Sequence, residues 1–281
     1  MKNFKGKAIY NPSGKSGEYS YWACNFYNGC SNGCTYCYLK KGVLAHTLGG
    51  DRPTLKKCFK STEHALEIFK KELLQNLPEL QKYGLFFTFT SDPCLPDTIW
   101  LNSEAWHYCL QMGISVKILT KCAQFADNLV RHGLKEYYNY KNLVAIGYTL
   151  TGHDELEPHS STNTERIDAM RKLSELGFKT WASIEPIIDF ESSYKMIRDS
   201  ISFCDMFKIG LESGKKYDKD LIRIFINNVI KYTEYIECFG YCECKLYFKD
   251  SLLRQAGIKR EELPNNCVGR AYPFLEIRNR N

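Results

Sequence analysis

Three cysteines fall within eight residues of the stretch NGCSNGCTYCYLKKG (28–42): Cys30, Cys34 and Cys37, spaced C-x3-C-x2-C, with Tyr36 directly before the last. In a reducing compartment, thiols crowded in this way more often hold metal than pair as disulfides. A structural zinc takes four ligands, usually in two separated pairs. No fourth ligand stands close by, since His46 is nine residues on, beyond a basic stretch. A bacterial ferredoxin run spaces its cysteines differently and ends on a cysteine before proline. A cuboidal [4Fe–4S] cluster on three thiolates leaves one iron open, and that iron can take the amino and carboxylate groups of S-adenosylmethionine (SAM). An electron passed to the sulfonium then breaks a carbon–sulfur bond and gives a 5′-deoxyadenosyl radical, chemistry that belongs to the cofactor. On this reading the missing ligand is part of the mechanism. Gly29 and Gly33 let the loop curl around such a group. An unrelated zinc or disulfide site is the competing account of the same thiols.

The elements that must carry this loop alternate regularly. Strand-like runs fall at YWACNFY (21–27), LFFTFT (85–90), SVKILTK (115–121), LVAIGYTL (143–150), KTWASIEPI (179–187) and MFKIGL (206–211). Helical runs are predicted between them: from Glu63 to Leu77 behind a Ser61 or Thr62 cap and stopped near Pro78, from Ser103 to Gly113, near Gln124–Arg131, over TERIDAMRKLSELG to Gly177, and around Tyr194–Ser202. Six strands with helical crossovers predict an α/β fold with a parallel sheet, as an open, partial (β/α)6 barrel over residues 18–215. Residues 1–17 form a polar prelude. Residues 216–281 form a C-terminal extension with a long helix (Lys219–Tyr235) and a cysteine-rich turn. In such barrels ligands sit on the loops after the strands. Those loops here are the three-cysteine loop, TSDPCLPD, TKC, TGHDE, EPIIDF and ESGK, so the chemistry-bearing residues gather on one rim.

The 281 residues are 44% hydrophobic and 14% aromatic, enough for a buried core and against disorder. A net charge of +6, from 38 Lys+Arg against 32 Asp+Glu, is mild and permits a polyanionic partner without requiring one. The opening segment lacks the apolar core of a secretory signal, and no apolar run approaches the ~18 residues that span a bilayer. A cytoplasmic location is expected. Among the thirteen cysteines, the scattered Cys24, Cys58, Cys94, Cys109, Cys122 and Cys204 read as small buried residues.

The cysteine loop and its aromatic resemble the radical SAM signature. The wider segment GKAIYNPSGKSGEYSYWACNFYNGCSNGCTYCYLKKG resembles the opening of the spore photoproduct lyase-like branch of that superfamily, with its EY-x-x-W-A-x-N-x-Y-x-G-C prelude. FTSDPCLPD, ILTKC, TLTGHDELEP, TERIDAMRKL, TWASIEPIIDFES and YFKDSL are similar to its later blocks, so the likeness covers about residues 6–255. The resemblance implies that Cys30, Cys34 and Cys37 ligate a [4Fe–4S] cluster and that Tyr36 lies against the adenine of SAM. It places Ser91 and Asp92 at the amino end, Lys121 on the carboxylate, Thr149 on the ribose and Glu185 on the SAM side of the cleft. Without the resemblance Lys121 reads as a solvated loop lysine, Tyr36 as packing, Thr149 as a strand filler and Glu185 as a surface acid. The photoproduct lyases carry a hydrogen-donating cysteine just before the Thr-Ser-Asp block. Phe89 stands there in this chain, and Cys94 is the nearby substitute thiol, so direct repair of thymine photoproducts is not expected.

Other signals carry less. NPSGKS (11–16) is not a P-loop, because the motif would need glycine where Ile9 stands and no strand precedes it. Cys238, Cys242, Cys244 and Cys267 could hold an auxiliary iron–sulfur cluster or zinc, or be free buried thiols. Lysines interleaved with aromatics in KYTEYIECFGYCECKLYFKD suit either a nucleic-acid groove or an amphipathic helix with lysine stems lying over the barrel. Together these readings predict a radical SAM enzyme fed by an external electron donor of flavodoxin or ferredoxin type, with a nucleic acid as one candidate substrate. The alternative is a zinc-stabilised nucleic-acid-binding protein without catalysis.

Overall fold

The computed structural model describes residues 3–43, 45–129, 137, 139–240, 243–270, 272 and 274. The strands are β1 (Ile9–Tyr10), β2 (Ala23–Cys24), β3 (Tyr27–Asn28), β4 (Thr54–Leu55), β5 (Leu85–Phe87), β6 (Val116–Thr120), β7 (Val144–Thr149), β8 (Lys179–Ile187), β9 (Met206–Leu211) and β10 (Lys245–Phe248). The helices are α1 (Gly14–Gly17), α2 (Ala45–Leu48), α3 (Thr62–Gln75), α4 (Leu77–Tyr83), α5 (Ile99–Gln111), α6 (Gln124–Asn128), α7 (Asn163–Glu175), α8 (Phe190–Ser200), α9 (Lys219–Cys238) and α10 (Asp250–Ala256).

One eight-stranded sheet runs in the order β1-β2-β5-β6-β7-β8-β9-β10, parallel throughout except for the antiparallel β1–β2 pair. The six predicted strands form its middle in sequence order, giving the mixed α/β, partial-barrel architecture. The two outer strands lengthen the sheet beyond the six. β1 comes from the prelude and β10 from the C-terminal extension, and both are too short to announce themselves by periodicity.

Alternate residues on the strands face two cores. Ala23, Phe86, Ala145, Trp181, Met206 and Tyr247 cluster inside the curve of the sheet. Their neighbours join the larger core under the helices. Gly147 lies opposite Trp181 in register, and a Cβ there would sit 2.2 Å from the indole. Only glycine leaves that ring room inside the barrel.

Several element boundaries differ from the sequence reading for local reasons. The run 21–27 is two strands: β2 pairs with β1 and β5 while β3 pairs with β4 in a separate sheet, and between them the Asn25 side chain takes Phe89 N and donates to Tyr10. β5 ends at Phe87, after which the Thr88 hydroxyl closes a turn on Ser91 O at 2.6 Å. Pro78 stops nothing; it sits in the first turn of α4, where a missing N–H costs no helical bond. α5 begins at Ile99, not Ser103, whose hydroxyl bonds back to Trp100 O instead of capping. The helix predicted to Arg131 is described as α6 to Asn128, and residues 130–136 lie outside the described residues.

Candidate active site

The cysteine loop springs from β3 and returns through β4, an antiparallel pair that clips its two ends together. Within it Gly29 N donates to Leu48 O and Cys30 N to Gly50 O. Gly29 has φ +84°, and a Cβ would lie 2.4 Å from Arg52 O, so the closed loop admits only glycine. The far side is tied to the loop after β7 by Thr35 N to Leu156 O and His159 N to Asn32 O.

At the carboxyl ends of the strands a cleft of about 320 Å³ opens. Its lining includes Cys30, Cys34, Cys37, Tyr36, Ser91, Asp92, Lys121, Thr149 and Glu185, so residues from positions 30 to 185 of the chain meet on one rim. All three cysteines are free thiols. Burial, with Asp92 nearby, pushes the Cys30 thiol up to about 12, so a proton leaves it readily only when a cation takes its place.

Asp92 organises the surrounding loops. Its Oδ1 accepts from Thr120 Oγ1 (2.7 Å) and Cys94 N (3.0 Å), and its Oδ2 from Asn32 Nδ2 (2.9 Å) and Lys121 N (2.8 Å). Those bonds fill the roughly four acceptor positions of a carboxylate. They join the cysteine loop, through Asn32, to the ends of β5 and β6. Beside it the buried Ser91 hydroxyl lines the cleft and, among the described residues, has no hydrogen-bond partner.

Lys121 points its ammonium at the cysteine loop, with Nζ 3.2 Å from Cys34 Sγ, a hydrogen bond to the Tyr36 hydroxyl and an ion pair to Glu157 at 2.9 Å. Burial alone would discharge it, but Tyr36, Glu157 and Cys34 outweigh that and raise its pKa well above the ordinary range. Glu157 is fully buried between Lys121 and Arg166; burial disfavours its charge, yet the two cations hold its pKa below the usual value. Arg166 anchors the group by donating to Glu157 and to Thr149 O.

Glu185 lies across the cleft in a second buried group. It accepts from Tyr19 at 2.5 Å and pairs with Lys249 at 2.6 Å, whose side chain is only 2% exposed. The β8–β9 register slips between Ile184 and Ile187, where Pro186 has no N–H for the ladder.

The sequence reading assigned no role to Glu157, Arg166, Asn32, Tyr19 or Lys249. Each lies in a segment that carried the resemblance, but their pairings cross from 60 to 166 positions of sequence or join elements whose packing no local pattern states. Two sets of thiols stay apart from the cleft lining. Cys94 is buried in the main core, its thiol pushed well above the ordinary range by burial. Cys238 is exposed, Cys244 fully buried and Cys267 intermediate, and Cys242 lies outside the described residues. Among the described residues no three His, Cys, Asp or Glu side chains close on one point as a single metal ion requires.

The residues present fit a cluster and SAM in kind: three free thiols on one wall, an unpartnered buried hydroxyl beside them, and a lysine held charged. The mostly parallel, partial-barrel fold is shared with several solved structures. No family model matches the chain, and no curated protein matches it. Solved structures do. A spore photoproduct lyase complexed with dinucleoside spore photoproduct matches with a TM-score of 0.51 at 17% identity, over 77% of this chain and 63% of that one. SuiB of Streptococcus suis bound to the precursor peptide SuiA matches at 0.54 with 13% identity, over 87% and 52%. A histidine-tagged anSMEcpe with bound AdoMet matches at 0.50 with 12% identity, over 78% and 59%. The chain thus spans 52% to 63% of the length of these three. Among the described residues no helix is long and apolar enough to cross a membrane.

Proposed function

We propose that the chain is a radical SAM enzyme that carries a [4Fe–4S] cluster on Cys30, Cys34 and Cys37. The observation that carries this reading is the meeting of these free thiols with Lys121 and the unpartnered Ser91 hydroxyl on one cleft wall. When bound, the cluster would supply one electron to the sulfonium of SAM, whose broken carbon–sulfur bond yields a carbon radical that takes hydrogen from a substrate.

The chain's own residues bind and enclose. Ser91 offers its free hydroxyl to the amino acid end of SAM, and Lys121, whose three N–H groups are directed at Cys34, Tyr36 and Glu157, would turn one of them to the carboxylate. Tyr36 and Thr149 bracket the nucleoside part. Glu185, paired with the Lys249 ammonium, faces the same space from β8. The apolar wall of Phe89, Leu119 and Leu211 limits water at the reacting end. The electron comes from an external flavodoxin- or ferredoxin-type donor. A nucleic acid is the substrate class to test first, because the branch resemblance and the neighbour solved with a dinucleoside spore photoproduct both lead there. A peptide is the second, from the neighbour solved with a precursor peptide.

Anaerobic purification and reconstitution test the reading. Brown protein with about four irons, releasing 5′-deoxyadenosine from SAM under dithionite, is the expected result. Cys34→Ala should abolish that release and lower bound iron. Colourless protein with stoichiometric zinc would replace the enzyme by the zinc-stabilised binding protein. Labelled SAM incubated with DNA, RNA or peptide then identifies the hydrogen source.

A further inference from the structure

Beyond Tyr19 the barrel interior holds a second cavity, of about 220 Å³. Tyr19 lines both spaces and divides them: its ring lies under Lys249 from the cleft side (4.3 Å) and under Lys208 from the other (5.0 Å). The second chamber is walled by Lys117 of β6, Lys208 of β9, Trp181 of β8 and Ser20, with the exposed Lys82 and Arg270 at its edge.

Among the described residues the chamber's polar groups are mostly donors, and part of their bonding capacity meets no acceptor. Lys208 Nζ bonds to the carbonyl oxygens of Glu18 (3.1 Å) and Tyr19 (3.0 Å), and Lys117 Nζ to Tyr83 O at 3.3 Å. Ammonium hydrogens are left over on both, and among the described residues neither lysine has a carboxylate partner. Among the described residues the buried Ser20 hydroxyl and Trp181 indole N–H have no hydrogen-bond partner. Glu18 is the one carboxylate among the described lining residues, and it is occupied: its Oε1 accepts from Tyr247 (3.1 Å) and Asp250 N (2.7 Å). Burial pushes Lys117 down to about 8, and burial together with Lys117 and Lys249 lowers Lys208 well below its ordinary value. Lys208 Nζ also lies over the rings of Tyr19, Trp181 and Tyr247 (5.0, 5.9 and 5.3 Å), and a bound anion would favour the charged lysines that burial disfavours.

We propose that this lower chamber binds a compact dianion, a phosphate monoester or a dicarboxylate, between the Lys117 and Lys208 ammonium groups, with Ser20 and Trp181 donating further hydrogen bonds. Rings of Tyr21, Tyr83, Tyr272 and Phe274 give the remaining wall an apolar surface for the ligand's carbon frame. The site is separate from the cleft and does not depend on the reaction proposed there.

Isothermal titration calorimetry of the full chain tests it, with inorganic phosphate and with succinate as separate probes at constant ionic strength in chloride. Saturable binding of one equivalent is expected; preference for phosphate assigns the monoester, preference for succinate the dicarboxylate. Lys117→Met and Lys208→Met, which keep the volume and remove the charge, should each weaken binding by about tenfold or more. Absence of binding by either probe, or unchanged affinity in both variants, overturns the proposal. Should the methionine variants fail to fold, Arg270→Ala at the exposed edge is expected to weaken binding about threefold; unchanged affinity there overturns it equally.

Discussion

Lys121 is where most of the cleft's electrostatics meet: a cation facing a thiol, a phenol and a buried carboxylate at once. Lys121→Ala should weaken SAM binding by about tenfold or more while leaving iron content unchanged, read by equilibrium dialysis and iron analysis. Loss of iron instead would give this lysine the task of holding the cysteine loop. Glu157 carries the opposite charge of the same group. Glu157→Gln leaves Lys121 without its carboxylate and Arg166 with only the longer Asp154 contact (3.8 Å), and should cost about 3 kcal/mol in urea unfolding, the range for breaking one side of a buried pair. Lys121 was legible from the sequence because it ends a strand run inside a family-like block. Glu157 was not, since its partners come from the cysteine loop, β6 and α7.

At the scale of elements, helix ends and loop ties set the rim. α7 starts with a reciprocal capping box, the Thr162 hydroxyl on Glu165 N and the Glu165 carboxylate on Thr162 N. Thr162→Ala should cost about 1 kcal/mol by thermal unfolding. The loop after β7 is pinned to α8 by His153, which bonds both Glu155 and Asp189, the N-cap of that helix. Burial would lower the His153 pKa, but the two carboxylates outweigh it and raise the pKa above 6.5. A raised folded pKa stabilises fully below the unfolded value and loses that contribution as pH climbs through the folded one. The melting-temperature gap between the wild type and His153→Gln should therefore be widest near pH ~6 and close toward pH ~9. The α7 cap and its periodic face could be read from local sequence. The His153 tie could not, because a lone histidine with no ligand spacing carries no local signal.

For the molecule as a whole, the C-terminal extension belongs to the sheet. β10 pairs along β9 from Lys245↔Met206 to Phe248↔Ile209, and Lys249 then reaches Glu185. A chain ending at residue 215 strips β9 of that neighbour and leaves Glu185 without its cation. Such a truncation should be insoluble or aggregate, as size-exclusion chromatography would show, through an unpaired sheet edge. A soluble monomer from it would make residues 18–215 an independent unit.

The sequence by itself determined the alternating strand and helix order, the rim on which the loops gather, and the three thiols with their aromatic neighbour. Periodicity and ligand spacing are local properties, and a chain displays them before it folds. Tertiary structure alone decided that Asp92 joins three loops, that Glu157 balances two cations, that prelude and tail extend the sheet, and that two lysines share an enclosed chamber. Those outcomes depend on which distant strands become neighbours, and burial then fixes the charge and bonding that each side chain can keep.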